Sequence, residues 1–356
     1  MDKKDKNIEN LNYKSIKSNK KNLQNEKINV RNDLKITYAN KVKNKSKKEL
    51  EINNNNKSKQ RALSCDSMAE INNLKLNNFY NKIIEKCEEE NIITNNYLYL
   101  TQDNLHKFWR ANDGKIEEAV KHLFNVLKWR QENNVDNIRE WKSENYEKIQ
   151  KIYPFFWYSI HPEGYPIFLD FSGQIKIREL EKITSINELI KIQTQLYEFC
   201  NQYLFNYCSS VSGKGVRKFI TVVDLNGFKI TKMGTKVYSF LKQMCSISQK
   251  NYPENLHRIY IINNSNIFKI VWKMISPWIN SVTKKKVFFL GTNYQEKLFQ
   301  DIPQKCFPPE IGGTGPSQNE LEKTLQNHFY QWINVESKDL ESKDLESKDL
   351  ESKDLE

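Results

Sequence analysis

The chain has 356 residues and a formal net charge of +12, long enough for one large or two small domains with a sizeable core. No run approaches the ~20 apolar residues of a membrane span, the opening MDKKDKNIEN holds no apolar core for a signal peptide, and Asp2 excludes myristoylation. The six cysteines are scattered without a CxxC pair, which suits reduced thiols in the cytosol and argues against a zinc site.

Residues 1–71 form a Lys/Asn-rich tract, with runs such as Asn44-Lys45-Ser46-Lys47-Lys48 and Asn53-Asn54-Asn55-Asn56-Lys57, and much of the positive charge sits there. Few apolar residues are available to offset ordering entropy, so disorder is expected. Its functional reading is attraction to anionic lipid, and its plainer one is unselected low-complexity sequence. Residues 72–145 read as a small all-helical lobe. Thr101 can cap a helix running through Phe108 and Trp109, and a second helix from Lys115 places Ile116, Ala119, Val120, Leu123 and Leu127 on one face.

From residue 146 to 315 strands alternate with helices. Pro154, Pro162, Gly164 and Pro166 punctuate an aromatic segment, and Pro166 opens the predicted strand Ile167-Phe168-Leu169-Asp170. Leu189, Ile192, Leu196, Phe199 and Tyr203 then recur at helical spacing, a stripe that reads first as core. Phe219 to Asp224 is a strand ending at the turn Leu225-Asn226-Gly227. The helix after it carries Val237, Phe240, Leu241, Met244 and Cys245 on one face.

Ile259-Tyr260-Ile261-Ile262 predicts a strand buried on both faces, and Val287-Phe288-Phe289-Leu290, closed by Gly291, a second such strand. Between them Ile267 to Ile279 is apolar on almost every side except at Lys269 and Lys273, with Pro277 as a stop. Parallel strands need a crossover of this length, so strand, helix, strand is a βαβ unit. Its helix is either a covered core element or a movable lid. Residues 316–335 read as a helical extension. From Glu336 the pentad ESKDL repeats four times, a period matching neither helix nor strand, so 336–356 is expected to be a disordered tail.

Enzyme signatures do not emerge. There is no GxSxG elbow, no GxGxxG after a strand and no HExxH. Gly213-Lys214-Gly215 precedes a strand and reads as a flexible turn, and His106, His122, His161, His257 and His328 have no ligand spacing. The expectation is a non-enzyme without metal or cofactor. Within Lys284-Lys285-Lys286 a solvated strand entry explains the first two. Lys286, nearest the apolar run and by alternation on the face of Phe288 and Leu290, is the one expected to be partly buried and to need an anionic partner.

The ordered marks Glu163-Gly164-Tyr165-Pro166, Val223-Asp224-Leu225-Asn226-Gly227, Tyr252-Pro253-Glu254, Val282-Thr283, Lys286, Phe288-Phe289-Leu290-Gly291, and Ile302-Pro303 leading to Pro309-Glu310-Ile311-Gly312-Gly313 resemble the CRAL-TRIO lipid-binding family. Within it the resemblance is to phosphatidylinositol transfer proteins of the yeast type, over roughly residues 72 to 315. It implies an α/β fold, a largely parallel sheet with packed helices and a lid helix over an apolar pocket, preceded by the helical N-lobe. It also implies that Glu254, Thr283 and Lys286 serve the headgroup, although a local ion pair with Arg258 is the rival for Glu254. Where the family carries Arg-x-Arg this chain has Arg110-Ala111-Asn112, so one phosphate-contacting cation is missing and Arg110 or Lys115 is left to supply it. The positions of the family's phosphatidylcholine contacts read Phe168, Phe219 and Thr221, so two of three hydroxyls are gone. The lid would comprise Phe268, Val271, Trp272, Ile275 and Trp278.

Two acyl chains hold about 30 methylenes, and exposing them to water at about 0.8 kcal/mol each would cost roughly 25 kcal/mol. A carrier must therefore enclose them and open at the bilayer. The expected function is binding and transfer of phosphatidylinositol, or a similar phospholipid, between membranes and to lipid kinases. A monomer that is cytoplasmic, transiently peripheral at membranes and without nucleic-acid partners is expected. The rival of another class is a protein-interaction module with a collapsed pocket, and a lipid hydrolase is third.

Overall fold

The structure, a computed structural model, describes residues 65–92, 99–229, 234–264 and 268–334. The chain divides into two compact units, Met1–Met68 and Ala69–Glu356. Most of the Lys/Asn-rich tract, Ile267 at the start of the expected lid, and the ESKDL tail lie outside the described residues. The first helix, α1 (Cys65–Glu89), begins inside the tract expected to be disordered. Its Leu76, Phe79, Ile83 and Cys87 are buried at helical spacing, which gives the segment a packing face.

The helical lobe is completed by α2 (Gln102–Ala111) and α3 (Ile116–Glu132). Thr101 caps α2 by accepting a hydrogen bond from the Asn104 amide. Leu105, Phe108, Ala119, Val120, Leu123 and Leu127 close a core on α1. A buried ion pair ties the lobe to the α/β part of the chain: Arg130 on α3 donates to both Glu198 oxygens, at 2.6 and 3.2 Å, and Tyr252 donates to Glu198 at 2.7 Å.

The remaining elements are α4 (Tyr146–Ile152), β1 (Phe155–Ile160), β2 (Pro166–Asp170), α5 (Ile177–Ile183), α6 (Ile186–Phe199), α7 (Phe205–Ser212), β3 (Phe219–Asp224), α8 (Thr235–Asn251), β4 (Leu256–Ile262), α9 (Phe268–Ile275), α10 (Ser281–Lys284), β5 (Val287–Gly291), α11 (Gln295–Asp301) and α12 (Leu325–Asn334). A π-helical segment, Cys200–Leu204, joins α6 to α7. The five strands lie in sequence order, β1 antiparallel to β2 and the rest parallel.

Parallel strands in sequence order, joined by crossovers of one hand, put every crossover helix on the same sheet face. On that face Phe155, Trp157, Phe168 and Phe219 pack under α5 to α7 and α12, while Ile261 packs under α9. The other face would stand bare without the C-terminal segment. Tyr294, Leu298, Ile302, Cys306, Phe307 and Ile311 cover it and bury Phe156, Tyr158, Ile167, Ile220, Val222 and Tyr260. Gly173 is obligatory: a Cβ there would lie 2.0 Å from the Asn226 carbonyl oxygen, so the loop after β2 can pack on the turn after β3 only without a side chain.

Two expectations from sequence need correction. β5 is an edge strand rather than one buried on both faces, and Phe288 and Phe289 are 38% and 41% exposed. A run of apolar residues does not reveal that, among the described residues, no sixth strand pairs with it. The expected helix from Ile267 to Ile279 is described as α9 followed by a 3-10 turn at Ser276–Trp278, with Pro277 in that turn.

Candidate functional site

The covered sheet face is not packed throughout. Its two clusters, one under α6 and one under α9, are separate. Between them Thr221 and Val223 on the central strand β3, and Ile259 on β4, are only half-buried. The apolar residues of α8 that face this space, Val237, Phe240, Leu241, Met244 and Cys245, are half-buried as well. A central strand whose inner face is only partly buried points to an apolar cleft between sheet and helices, because a packed layer would bury these residues completely.

α9 forms the roof at one end. Phe268 and Val271 point inward and are buried, with Trp272 and Ile275 half-buried beside them. Trp272 meets Phe289 edge-on at 4.9 Å, and Trp278 meets Tyr238 edge-on at 4.5 Å. The two indoles thus pack against the protein. The apolar residues that α9 offers outward are Ile270 and Met274, 53% and 41% exposed, flanked by the exposed Lys269 and Lys273.

The strand entries carry the charges. In a parallel sheet the residues just ahead of neighbouring strands share one edge. Lys218 precedes β3, Glu254 precedes β4 and Lys286 precedes β5, which gives a plus, minus, plus order across three strands. Lys218 Nζ lies 3.8 Å from Glu254 Oε2. Lys286 Nζ donates to the Leu256 carbonyl at 2.9 Å. Burial pushes the Lys286 ammonium below the usual lysine range and Lys218 pushes it the same way, with Glu254 opposing. Glu254 holds a left-handed backbone, φ 62°, a conformation that persists in a non-glycine residue only where its surroundings enforce it.

Part of that enforcement comes from Asn255, which is buried and accepts a hydrogen bond from Lys107 Nζ at 3.1 Å. Lys107 also donates to Asn201 at 3.3 Å, in the π-helical segment. It is 6% exposed, among the described residues its ammonium donates hydrogen bonds to amide oxygens and forms no ion pair, and burial pushes its pKa down to about 8.

Of the residues expected to serve the headgroup, Glu254 and Lys286 are brought together. Thr283 lies on α10 one turn before Lys286, and its carbonyl accepts from the Lys286 amide at 2.9 Å. Arg110 stands exposed on α2, with no hydrogen bond or ion pair to these three among the described residues. The rival pairing of Glu254 with Arg258 is not formed, because Arg258 pairs with Asp301 at 3.1 Å. Phe168 and Phe219 are 7% exposed and sit edge-on to Trp157 at 5.0 and 5.5 Å. They fill one end of the cleft. The Trp157 indole N–H between them has no hydrogen-bond partner among the described residues, which is costly for a buried donor.

Lys218, Lys107 and Trp157 did not emerge from the sequence as site residues. Only Lys218 left a signal there, since it stands at a strand entry as Lys286 does.

Residues 150–313 match the family model for the CRAL/TRIO domain. The chain is 30% identical over 238 residues to the Sec14 cytosolic factor of Schizosaccharomyces pombe, covering 66% of this chain and 83% of that protein. It is 29% identical over 208 residues to a phosphatidylinositol/phosphatidylcholine transfer protein, SFH9, of Arabidopsis thaliana, covering 58% of this chain and 36% of that longer protein. The crystal structure of Sfh5 shares the fold with a TM-score of 0.58 at 19% identity, covering 80% of this chain and all of that one. The fold, the order of its marks and the length of the match agree: the chain belongs to the CRAL/TRIO domain family, beside its Sec14-type members.

Proposed function

We propose that this protein binds phosphatidylinositol, or a similar anionic phospholipid, and exchanges it between membranes. The observation that carries the reading is a half-open apolar cleft whose strand-entry edge holds Glu254 and Lys286 side by side. The acyl chains would lie between the sheet and α8 and α9. The phosphodiester would take Lys286, and Glu254 would accept hydrogen bonds from inositol hydroxyls, with Thr283 beside them. Names of similar proteins support it, since one is a phosphatidylinositol/phosphatidylcholine transfer protein. The work is carriage without a chemical step, and lipid kinases are natural recipients of the lipid presented. Among the described residues no helix is long and apolar enough to cross a membrane, so contact with the bilayer is proposed as transient. Residues 71–335, which keep α12 in the core, are proposed to suffice for this activity, as a monomer on the cytoplasmic side.

The test is transfer of labelled phosphatidylinositol between vesicles. Lys286→Ala and Glu254→Lys should each abolish it with the melting temperature retained, and normal transfer by both would refute the assignment. A second reading is favoured by one observation, the filling of the cleft's end by Phe168, Phe219 and Trp157. It makes the chain a protein-interaction module on the same fold. Lipid mass spectrometry on the purified protein separates the two, since a module with a collapsed pocket carries no stoichiometric phospholipid.

A further inference from the structure

We propose that Lys218 is a second cation of the headgroup site and sets its preference for a net-negative headgroup over a zwitterionic one. The inference rests on the phosphatidylinositol reading above and deepens it. The geometry is the three-strand edge: Lys218 and Lys286 stand at the entries of β3 and β5, on either side of the single carboxylate of Glu254 at the entry of β4. Lys218 and Glu254 are 3.8 Å apart with side chains 38% and 25% exposed. Neither makes a hydrogen bond among the described residues, so the pair is loose and both groups can reach a ligand. Two ammoniums against one carboxylate leave the cluster one positive charge in excess.

Of the other cations near this edge, Lys284 and Lys285 stand exposed at the end of α10, and those on the Lys218 side are spent or distant. Arg217 pairs with Asp103 at 2.7 Å, Arg258 pairs with Asp301, and Lys107 is buried behind Asn255. Arg110 stands apart on α2, and Asn112 occupies the position at which a further arginine was expected. Lys218 is therefore the cation placed to compensate a phosphodiester together with Lys286. A phosphodiester linked to inositol presents one uncompensated negative charge. The same phosphodiester linked to choline carries its own cation, which two ammoniums at this edge repel.

The test uses the full chain with Lys218→Gln and Lys218→Arg. Transfer of labelled phosphatidylinositol and of labelled phosphatidylcholine is measured from the same donor vesicles. Losing one charge-assisted hydrogen bond should lower phosphatidylinositol transfer by about tenfold or more. Phosphatidylcholine transfer should be unchanged or raised in Lys218→Gln, and Lys218→Arg should restore the wild-type ratio. A merely structural lysine would alter both lipids alike, and that result, or an unchanged ratio, overturns the proposal. Titration with inositol 1-phosphate distinguishes the source of the phosphate: binding of the free sugar phosphate that depends on Lys218 would make this a soluble-ligand site and overturn lipid selection. Failure of the underlying reading shows itself differently, as wild-type protein that transfers neither lipid. That result overturns both, whereas normal phosphatidylinositol transfer by Lys218→Gln overturns the role of Lys218 alone.

Discussion

The outward face of α9 offers the sharpest test of how such a carrier would meet a membrane. Ile270 and Met274 are 53% and 41% exposed, one turn apart, between Lys269 and Lys273. Full burial of such a side chain is worth about 1.5–3 kcal/mol, so bringing the exposed half under lipid is worth about 1 kcal/mol each. Together that is about 2 kcal/mol, or roughly thirtyfold in membrane residence. Replacing both by Ser should slow phosphatidylinositol transfer by about that factor. Because neither residue is buried, stability should change by no more than about 0.5 kcal/mol per site, a shift of only a few degrees in melting temperature. The assay is vesicle transfer beside thermal unfolding on the same samples. Unimpaired transfer at unchanged melting temperature would show that α9 does not meet the bilayer. A large drop in melting temperature would show that these side chains are core.

Val271→Ala, by contrast, removes methyl groups from a residue only 2% exposed and should cost about 1–3 kcal/mol in chemical unfolding, a cost the outward variants should not show. Arg130→Met strands Glu198 in a buried site and should destabilise by about 3–5 kcal/mol, whereas Arg130→Met with Glu198→Met should recover most of that loss; equal unfolding free energies for the single and double variants would deny the pair its role. Phe168→Tyr with Phe219→Ser returns two hydroxyls beside the unpartnered Trp157 N–H and should raise the phosphatidylcholine share of total transfer, a gain absent if that end of the cleft never meets a headgroup. Lys107 has its folded-state pKa lowered to about 8 by burial, against about 10.4 unfolded. Between those values the unfolded state binds more protons, so stability should rise with pH through that window, and Lys107→Met should flatten the slope in urea unfolding; identical slopes would mean the ammonium is not desolvated.

Much of the fold was legible because its elements announce themselves locally. Pro166 opened β2, Thr101 capped α2, and the β-branched run at Phe219 to Asp224 is the central strand from end to end. β1 was not legible, because its alternate residues face two different cores. Phe155 and Trp157 pack on one side of the sheet, Phe156 and Tyr158 on the other, so no polar face marks the period of two. The π-helical segment was hidden for a different reason: Tyr203 continues the α-helical spacing in the sequence, whereas the extra residue brings Leu204 into the core and leaves Tyr203 half-buried. At the site, sequence order supplied Glu254, Thr283 and Lys286. It could not supply Lys107 or Trp157, whose character comes from what surrounds them: a buried ammonium facing amides, and a buried N–H with no acceptor among the described residues.

The connection between α9 and the strand-entry edge stems from chain direction. α9 is the crossover from the end of β4 to the entry of β5, so its far end runs through the Ser276–Trp278 turn and α10 directly into Lys286. Two side chains of α8 hold that far end, Tyr238 edge-on against Trp278 and Gln249 by hydrogen bonds. Gln249 Nε2 donates to the Trp278 carbonyl at 2.8 Å, and Gln249 Oε1 accepts from the Asn280 amide at 2.8 Å. A roof clamped at this end can swing only from the other, where Phe268 and Val271 leave the cluster around Leu225 and Ile261. Opening about that clamp would uncover the acyl chains while Thr283 and Lys286 stay seated. Opening that broke the clamp would move Thr283 with the lid and loosen the headgroup as well. The first order of events lets the chains meet the bilayer before the charged end is released, and it avoids exposing chains and headgroup to water together. Gln249, which touches no ligand in this arrangement, is the residue that separates the two.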